Sequence, residues 1–469
     1  MARALRTFLD RVVVVPAIGT DAFLYGASAL FALVTALVAL SADYRDWGEM
    51  AGIAYALAAA ICIGALIAHQ RKVLSPASLG KLRRFVVIGV LAGAVVGPLV
   101  SELVWRAEAV PGVHAQVEVA VVERAGDRLA AGGNPYLSHP TTVGISPSSD
   151  AKSIDAQSYY PYLPGMLPFG LLNAASGPLE LGDARVSLAL FTLVVGAIAL
   201  ATKGASVSRR GRVLQFLVVL PSGALPMVTG GDDLPVIALV LLGLVLAAKR
   251  RPVLAGLVLG VAATLKFMAW PVLLLMVLAA RDEEDHPAGL RYALSAAVVA
   301  LPIIAVGAAP NPAAFVENVV KFPLGIANVH SPAASPLLGQ VLVSIFPHDR
   351  RAITFALLGV GLVLVAYGLK RFTPRTPAHV ARFAAWTLLL ATVLAPATRF
   401  GYLIYPANLF VFAFLLDSLE ASKAKAIDYE ASLTSNNLSS TVLASPTLAP
   451  PSAGLSEVGA RFTSMPTSQ

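Results

Sequence analysis

The chain has 469 residues, 57% of them hydrophobic and 13% charged, with a formal net charge of +8 and a mean hydropathy of +0.74. Soluble domains run near ~45–50% apolar and ~25% charged, so this composition excludes an ordinary soluble protein and indicates an all-α polytopic membrane protein. The excess of Lys and Arg fits cytoplasmic loops rather than nucleic-acid binding, and the lone Cys62 excludes an intrachain disulfide or a multi-cysteine metal site.

The N-terminal MARALRTFLDRVVVVPAIG imitates a signal peptide, but its apolar part is short and a full span follows directly, so it reads as a cytoplasmic juxtamembrane segment. In chain order, apolar runs predict spans near 21–41, 51–68, 85–104, 186–202, 213–229 and 234–248, then near 292–308, 352–368, 381–397 and 402–416. Between the two groups lies a 28-residue apolar run, 253–280, interrupted by Lys266 and Pro271. Charge decides how it crosses. The connections HQRKVLSPASLGKLRR, KGASVSRRGR, KRR and LKRFTPRTPAHVAR are short and basic, so all four belong on the cytoplasmic side. The run 253–280 must then enter and return as a hairpin with Lys266 at its tip, in the outer leaflet or in a water-filled cavity. The result is about twelve membrane segments with both termini cytoplasmic.

The membrane domain is predicted over 1–416, with large outer segments at 105–185 and 309–351. YYPYLPGMLPFGLLNA, broken by Pro161, Pro164 and Pro168, suits a re-entrant or interfacial element. Residues 417–469 turn rich in Ser, Thr, Ala and Pro and are expected to be a disordered cytoplasmic tail. No fixed-period repeat is visible, nor the paired broken helices of an inverted-repeat transporter.

Within the first outer segment, HAQVEVAVVERAGDRLAAGGNPY is a long polar excursion. As a helix over 113–131 it places Val121, Val122, Ala125 and Leu129 in one sector, with Glu118 among them and Glu123 and Asp127 pointing away; QVEVAVVE is also compatible with a short strand. Gly132 and Gly133 can take positive φ and Pro135 biases its predecessor out of the helix, so GGNPY supplies a stop. A carboxylate on the packing face is costly to ionise, which should raise the pKa of Glu118 and marks it as a functional candidate. The alternative is a Glu satisfied by a backbone group or by an Arg such as Arg185.

The carboxylate, short helix, GGNPY turn, polar loop and YYPYLPGMLPF segment together resemble the first large outer loop of the GT-C superfamily of integral-membrane glycosyltransferases. The chain is more closely similar to glycosyltransferase family 87, the polyprenyl-phosphate-mannose-dependent mannosyltransferases. RRPVLAGLVLGVAATLKFMAWPVLLLMVL and LAPATRFGYLIYPANLFVF carry the likeness further, over about residues 100–416. In that family the loop carboxylate is typically Asp with an aromatic residue four positions on; here Glu118 stands at that position and Val122 replaces the aromatic. Asp127 or the Asp232/Asp233 pair could serve instead.

The resemblance implies inverting transfer of a sugar, mannose above others, from a polyprenyl-phosphate donor to a glycan or glycolipid acceptor on the extracytoplasmic face of the plasma membrane. Such a step needs a carboxylate to accept the acceptor's proton and cations to hold the departing lipid phosphate. Glu118 is the expected base. Lys266, Arg399 and Arg124 are the expected phosphate cations; the alternative for Lys266 is snorkelling to the outer interface. His330 can bind phosphate or sugar. Tyr159, Tyr160 and Tyr162 can stack on a sugar, or form an interfacial aromatic belt. Asp232 and Asp233 precede Pro235 in a helix-capping arrangement and are alternative sugar ligands. The seven scattered histidines show no HExxH-type spacing, and nothing calls for a metal or a cofactor beyond the lipid-linked donor. The competing classes are a transporter or flippase of a lipid-linked glycan, to which Lys266 at membrane depth could also belong, and a non-enzymatic scaffold, which would give no reason for a carboxylate in an apolar sector facing the same compartment as Lys266 and Arg399.

Overall fold

The computed structural model describes residues 17–139, 157–176, 182–202, 204, 207–280, 287–327, 329 and 331–421. The apolar runs become helices because an isolated backbone in lipid must bond within its own segment. They are α1 (Ala17–Val38), α2 (Ala42–Gln70) and α3 (76–107), the last with a π-type turn at Ala92–Val96. The shorter α4 (Val117–Ala130) and α5 (Leu167–Ser176) come next, followed by α6 (Ala184–Leu200), α7 (Ser208–Thr229) and α8 (Leu234–Ala248). The hairpin arms are α9 (Pro252–Leu265) and α10 (Trp270–Ala279), and α11 (Pro287–Ala308) follows. Two short helices, α12 (312–321) and α13 (Leu338–Ile345), fill the second outer segment before α14 (Arg350–Arg371), α15 (Pro377–Leu394) and α16 (404–421). Eight of these helices are long and apolar enough to cross a bilayer, and four shorter apolar ones, α6, α8, α9 and α10, accompany them.

Hydropathy does not separate central helices from peripheral ones, but packing does. In α8 twelve of fifteen residues are buried, whereas in α14 only Thr354 is, so α8 forms the centre and α14 faces lipid. At 29 residues α2 is about 44 Å long, more than the ~30 Å hydrocarbon core, and it carries Asp43 and Asp46 in its first two turns.

The chain turns back within 253–280. Lys266 interrupts the helix with extended backbone (φ −149°, ψ 151°), and Met276, Ala279 and Ala280 at the end of α10 line one cavity with Arg250 and Pro252. Both ends of the hairpin therefore lie at the same end of the bundle. The basic connections gather at that end too: Arg83 and Arg212 both reach Asp21, Arg209 bonds the Phe414 carbonyl, and Arg382 pairs with Asp417.

Asp417 and Glu420, which accepts the Ala378 N–H at 3.1 Å, tie α16 to α15, so the membrane unit runs to Glu420 rather than stopping at residue 416. The expected N-terminal segment before Ala17 and the disordered tail from residue 422 onward lie outside the described residues.

The polar excursion is helical, as α4, and the strand alternative is not realised. GGNPY closes it: Gly132 adopts φ +77° and donates to the Leu129 carbonyl, Gly133 donates to that of Arg128, and Asn134 accepts the Tyr136 N–H at 3.0 Å. Helices α4 and α5 cross at glycine. A Cβ on Gly126 would fall on the Gly170 backbone, and one on Gly170 would fall on the Val122 carbonyl. Gly170→Ala is therefore expected to destabilise the protein by about 1–3 kcal/mol, because backbone cannot step aside as a side chain can; thermal melting of the detergent-purified variant measures it.

Candidate active site

Glu118 occupies the first turn of α4, and the preceding loop fixes where it points. Gln116 donates its backbone N–H to the Thr229 carbonyl at 2.8 Å and its side-chain amide to Thr229 Oγ1 and Tyr44 Oη. Gly230, at φ +111°, lies against Val119 and Arg185, leaving no space for a side chain between α4 and the end of α7.

From this position Glu118 forms an ion pair with Arg399 Nη1. The expected isolation of Glu118 among apolar groups is thus corrected: the carboxylate carries a counter-ion, and that ion is Arg399, not Arg185. Side-chain exposures of 20% and 37% leave the pair open to a substrate. Arg399 sits in a turn held from the second outer segment, where the isolated parallel bridge Ala334–Thr398 is reinforced by the Phe400 N–H donating to Ser335 Oγ at 3.1 Å.

Beside it, Lys266 Nζ donates to Asp232 at 2.6 Å and to Asp233 at 2.5 Å, and Tyr405 Oη donates to Asp233 at 2.8 Å. The Tyr162 ring lies 5.0 Å from Nζ. Asp233 makes no side-chain cap on α8, so the aspartates clamp a lysine instead of capping a helix. Burial pushes the Asp232 carboxyl above the ordinary carboxylate range; the Lys266 ammonium pulls it back, and the Asp233 carboxylate adds to the push. With both carboxylates on it, Lys266 is not a free cation, and its side chain is only 12% exposed.

A third group is structural. Arg106 bonds both Glu123 and Asp183, Arg185 pairs with Asp183 at 2.9 Å, and Arg185 Nη1 also donates to the His114 and Val228 carbonyls. Glu123 accepts the Ala184 N–H at 3.0 Å, joining α4 to the start of α6. This corrects the expected orientation of α4: Glu123 is 6% exposed on its packing face, while Leu129 is exposed. The helix buries a satisfied ion network beside its valines, which an apolar-sector projection cannot represent.

The other expected residues lie apart. Arg124 donates to the Gln157 carbonyl, and its charged neighbours are Arg128, Glu123, Arg106 and Asp127 rather than the Glu118 pair; burial, with Arg128 alongside, brings its pKa down to about 10. Tyr160 is fully buried between Tyr136 and Tyr162 and offers no face to a sugar as placed. Tyr159 and Tyr162 are buried as well, so these rings are core rather than an interfacial belt. Asp127 is exposed, with the Asn173 amide 3.4 Å away. His330 lies outside the described residues. Tyr405 was not marked by the local pattern, since its partner is 172 residues away. A carboxylate and imidazole group able to ligate a metal, Asp46, Glu102 and His114, lies at this same end.

The profile of glycosyltransferase family 87 matches residues 161–396. The matched stretch includes Tyr162, Asp232, Asp233 and Lys266; it begins after Glu118 and stops three residues before Arg399. No curated protein matches significantly. Among solved structures, ArnT from Cupriavidus metallidurans bound to undecaprenyl phosphate is similar at 15% identity and a TM-score of 0.39, covering 71% of this chain and 62%, less than two thirds, of its own. Since the family profile spans half of the sequence, the protein belongs to glycosyltransferase family 87.

Proposed function

We propose that this membrane glycosyltransferase moves a sugar, mannose in the first instance, from a polyprenyl-phosphate donor to a hydroxyl of a glycan or glycolipid on the extracytoplasmic face, with inversion. The observation that carries the reading is the pairing of Glu118 on α4 with Arg399 in a turn 281 residues later, at the end of the bundle opposite the basic connections. Short basic connections favour the cytoplasmic side, which supports an outer position for the pair.

In the proposed step the acceptor oxygen attacks the anomeric carbon, its proton passes to the Glu118 carboxylate, and the carbon–oxygen bond to the lipid phosphate breaks with its electron pair leaving on that phosphate. Arg399 pairs with Glu118 before substrate binds and turns to the phosphate when the donor arrives, which both frees the base and meets the leaving group's charge. Lys266, Asp232, Asp233 and Tyr405 form a fixed polar floor, whose carboxylates are suited to sugar hydroxyls.

Membranes containing the protein, supplied with radiolabelled polyprenyl-phosphate-mannose or the corresponding arabinose donor, are expected to label an acceptor from the mannosyl lipid. Arg399→Gln is expected to lower transfer by about 10²–10³-fold, the scale of one lost oxyanion-type donor. Absence of transfer from any polyprenyl donor by the wild type would sink the enzymatic reading.

A further inference from the structure

We infer that Asp46, Glu102 and His114 form a divalent-cation site that fixes the loop leading to Glu118. The three come from separate elements: Asp46 from the second turn of α2, Glu102 from the last turns of α3, and His114 from the loop ahead of α4. His114 Nδ1 lies 3.0 Å from Glu102 Oε2 and 4.0 Å from Asp46 Oδ2, and one ligand atom from each residue lies within 4.8 Å of the others. Bonds of about 2.0–2.2 Å in tetrahedral geometry set ligand atoms about 3.4 Å apart, so a cation fits with small side-chain adjustments.

The chemistry of the surroundings asks for positive charge. Glu102 is fully buried, and its Oε1 has no hydrogen-bond partner. Asp43, also fully buried, adds a third carboxylate whose Oδ2 is likewise unpartnered. Among the described residues no Lys or Arg pairs with Asp43, Asp46 or Glu102; Arg185, whose charge reaches Asp43, is committed to Asp183. Buried carboxylates without a counter-ion are costly, and a bound metal removes that cost. Two carboxylates and one imidazole suit Zn²⁺ or a similar transition ion, with water in the fourth position. Asp46, at 28% side-chain exposure, provides the way in.

The site's effect is on position. His114 stands four residues before Glu118, and its carbonyl is already held by Arg185. The Asp43 N–H donates to the Val113 carbonyl at 2.9 Å, so a cation here would fasten both sides of the turn to α2 and α3. The site holds no reacting atom, and the inference stands apart from the choice of sugar donor.

The test is metal content of the full chain purified in detergent, stripped with chelator and dialysed against micromolar ZnCl₂. About one Zn²⁺ per chain is expected for the wild type, with affinity at least ~10-fold weaker in Asp46→Asn and in His114→Gln. His379→Ala, a histidine at the opposite end, should retain the full equivalent. Should His114→Gln fail to fold, Asp46→Asn at the rim still decides. A wild type that retains no Zn²⁺, or Asp46→Asn retaining as much as the wild type, would overturn the site and leave protonation of the carboxylates as the way their charge is met.

Discussion

Glu118→Gln is expected to lower sugar transfer by about 10²–10⁴-fold, the usual contribution of a positioned general base. The amide keeps the shape of the side chain and its place in the first turn of α4, so the loss should fall on turnover. Its effect on folding should be small, because the partner Arg399 is 37% exposed and partly solvated once unpaired. Asp127→Asn is the matched control: it lies on the same helix, is exposed, and stands apart from the Glu118–Arg399 pair, so transfer should be unchanged. Initial rates with labelled donor, taken across donor concentrations, separate turnover from binding. Equal rates for Glu118→Gln and wild type would remove Glu118 as base; a loss confined to Asp127→Asn would move the role there.

The second large effect is one of stability. Lys266→Met leaves a buried Asp232 beside a partly buried Asp233 without their shared cation, and is expected to cost about 3–5 kcal/mol, the scale of breaking a buried ion pair from one side. Adding Asp232→Asn and Asp233→Asn to the same chain should recover most of that loss, since the triple variant buries no uncompensated charge. Thermal melting of both forms in one detergent gives the comparison. Melting of Lys266→Met at the wild-type temperature would mean that the clamp contributes nothing, and Lys266 would then be free for phosphate.

The membrane fold was legible because lipid reduces the choice of backbone to helices, and four basic connections indicate which loops share one end of the bundle. The same charge count forced the turn at Lys266. It could not show which helices are central: α8 and α14 are both strongly apolar, yet one is enclosed by protein and the other by lipid.

The candidate site was legible in its residues more than in its bonds. Glu118, Lys266, Arg399, Asp232 and Asp233 could be singled out as polar groups in apolar or outer positions. Which carboxylate meets which cation depends on contacts spanning 33 to 281 residues, and no local periodicity records them. Projection of α4 misplaced Glu123 and Leu129 for a related reason. It treats burial as apolar, whereas this face carries a network in which Arg106 and Asp183 compensate the charges. Val122 is also clearer. It is fully buried where α4 and α5 cross at glycine, with its carbonyl against the Gly170 backbone.

The hairpin bears on how the protein is made. Its arms, 14 and 10 residues long, reach only about 21 and 15 Å as helices, and an unaccompanied ammonium at their junction opposes their entry into lipid. Asp232 and Asp233 stand at the start of α8, immediately upstream, so the order of synthesis delivers the counter-charges before the lysine leaves the ribosome. The start of α8 therefore carries the charges that the following hairpin needs at its tip.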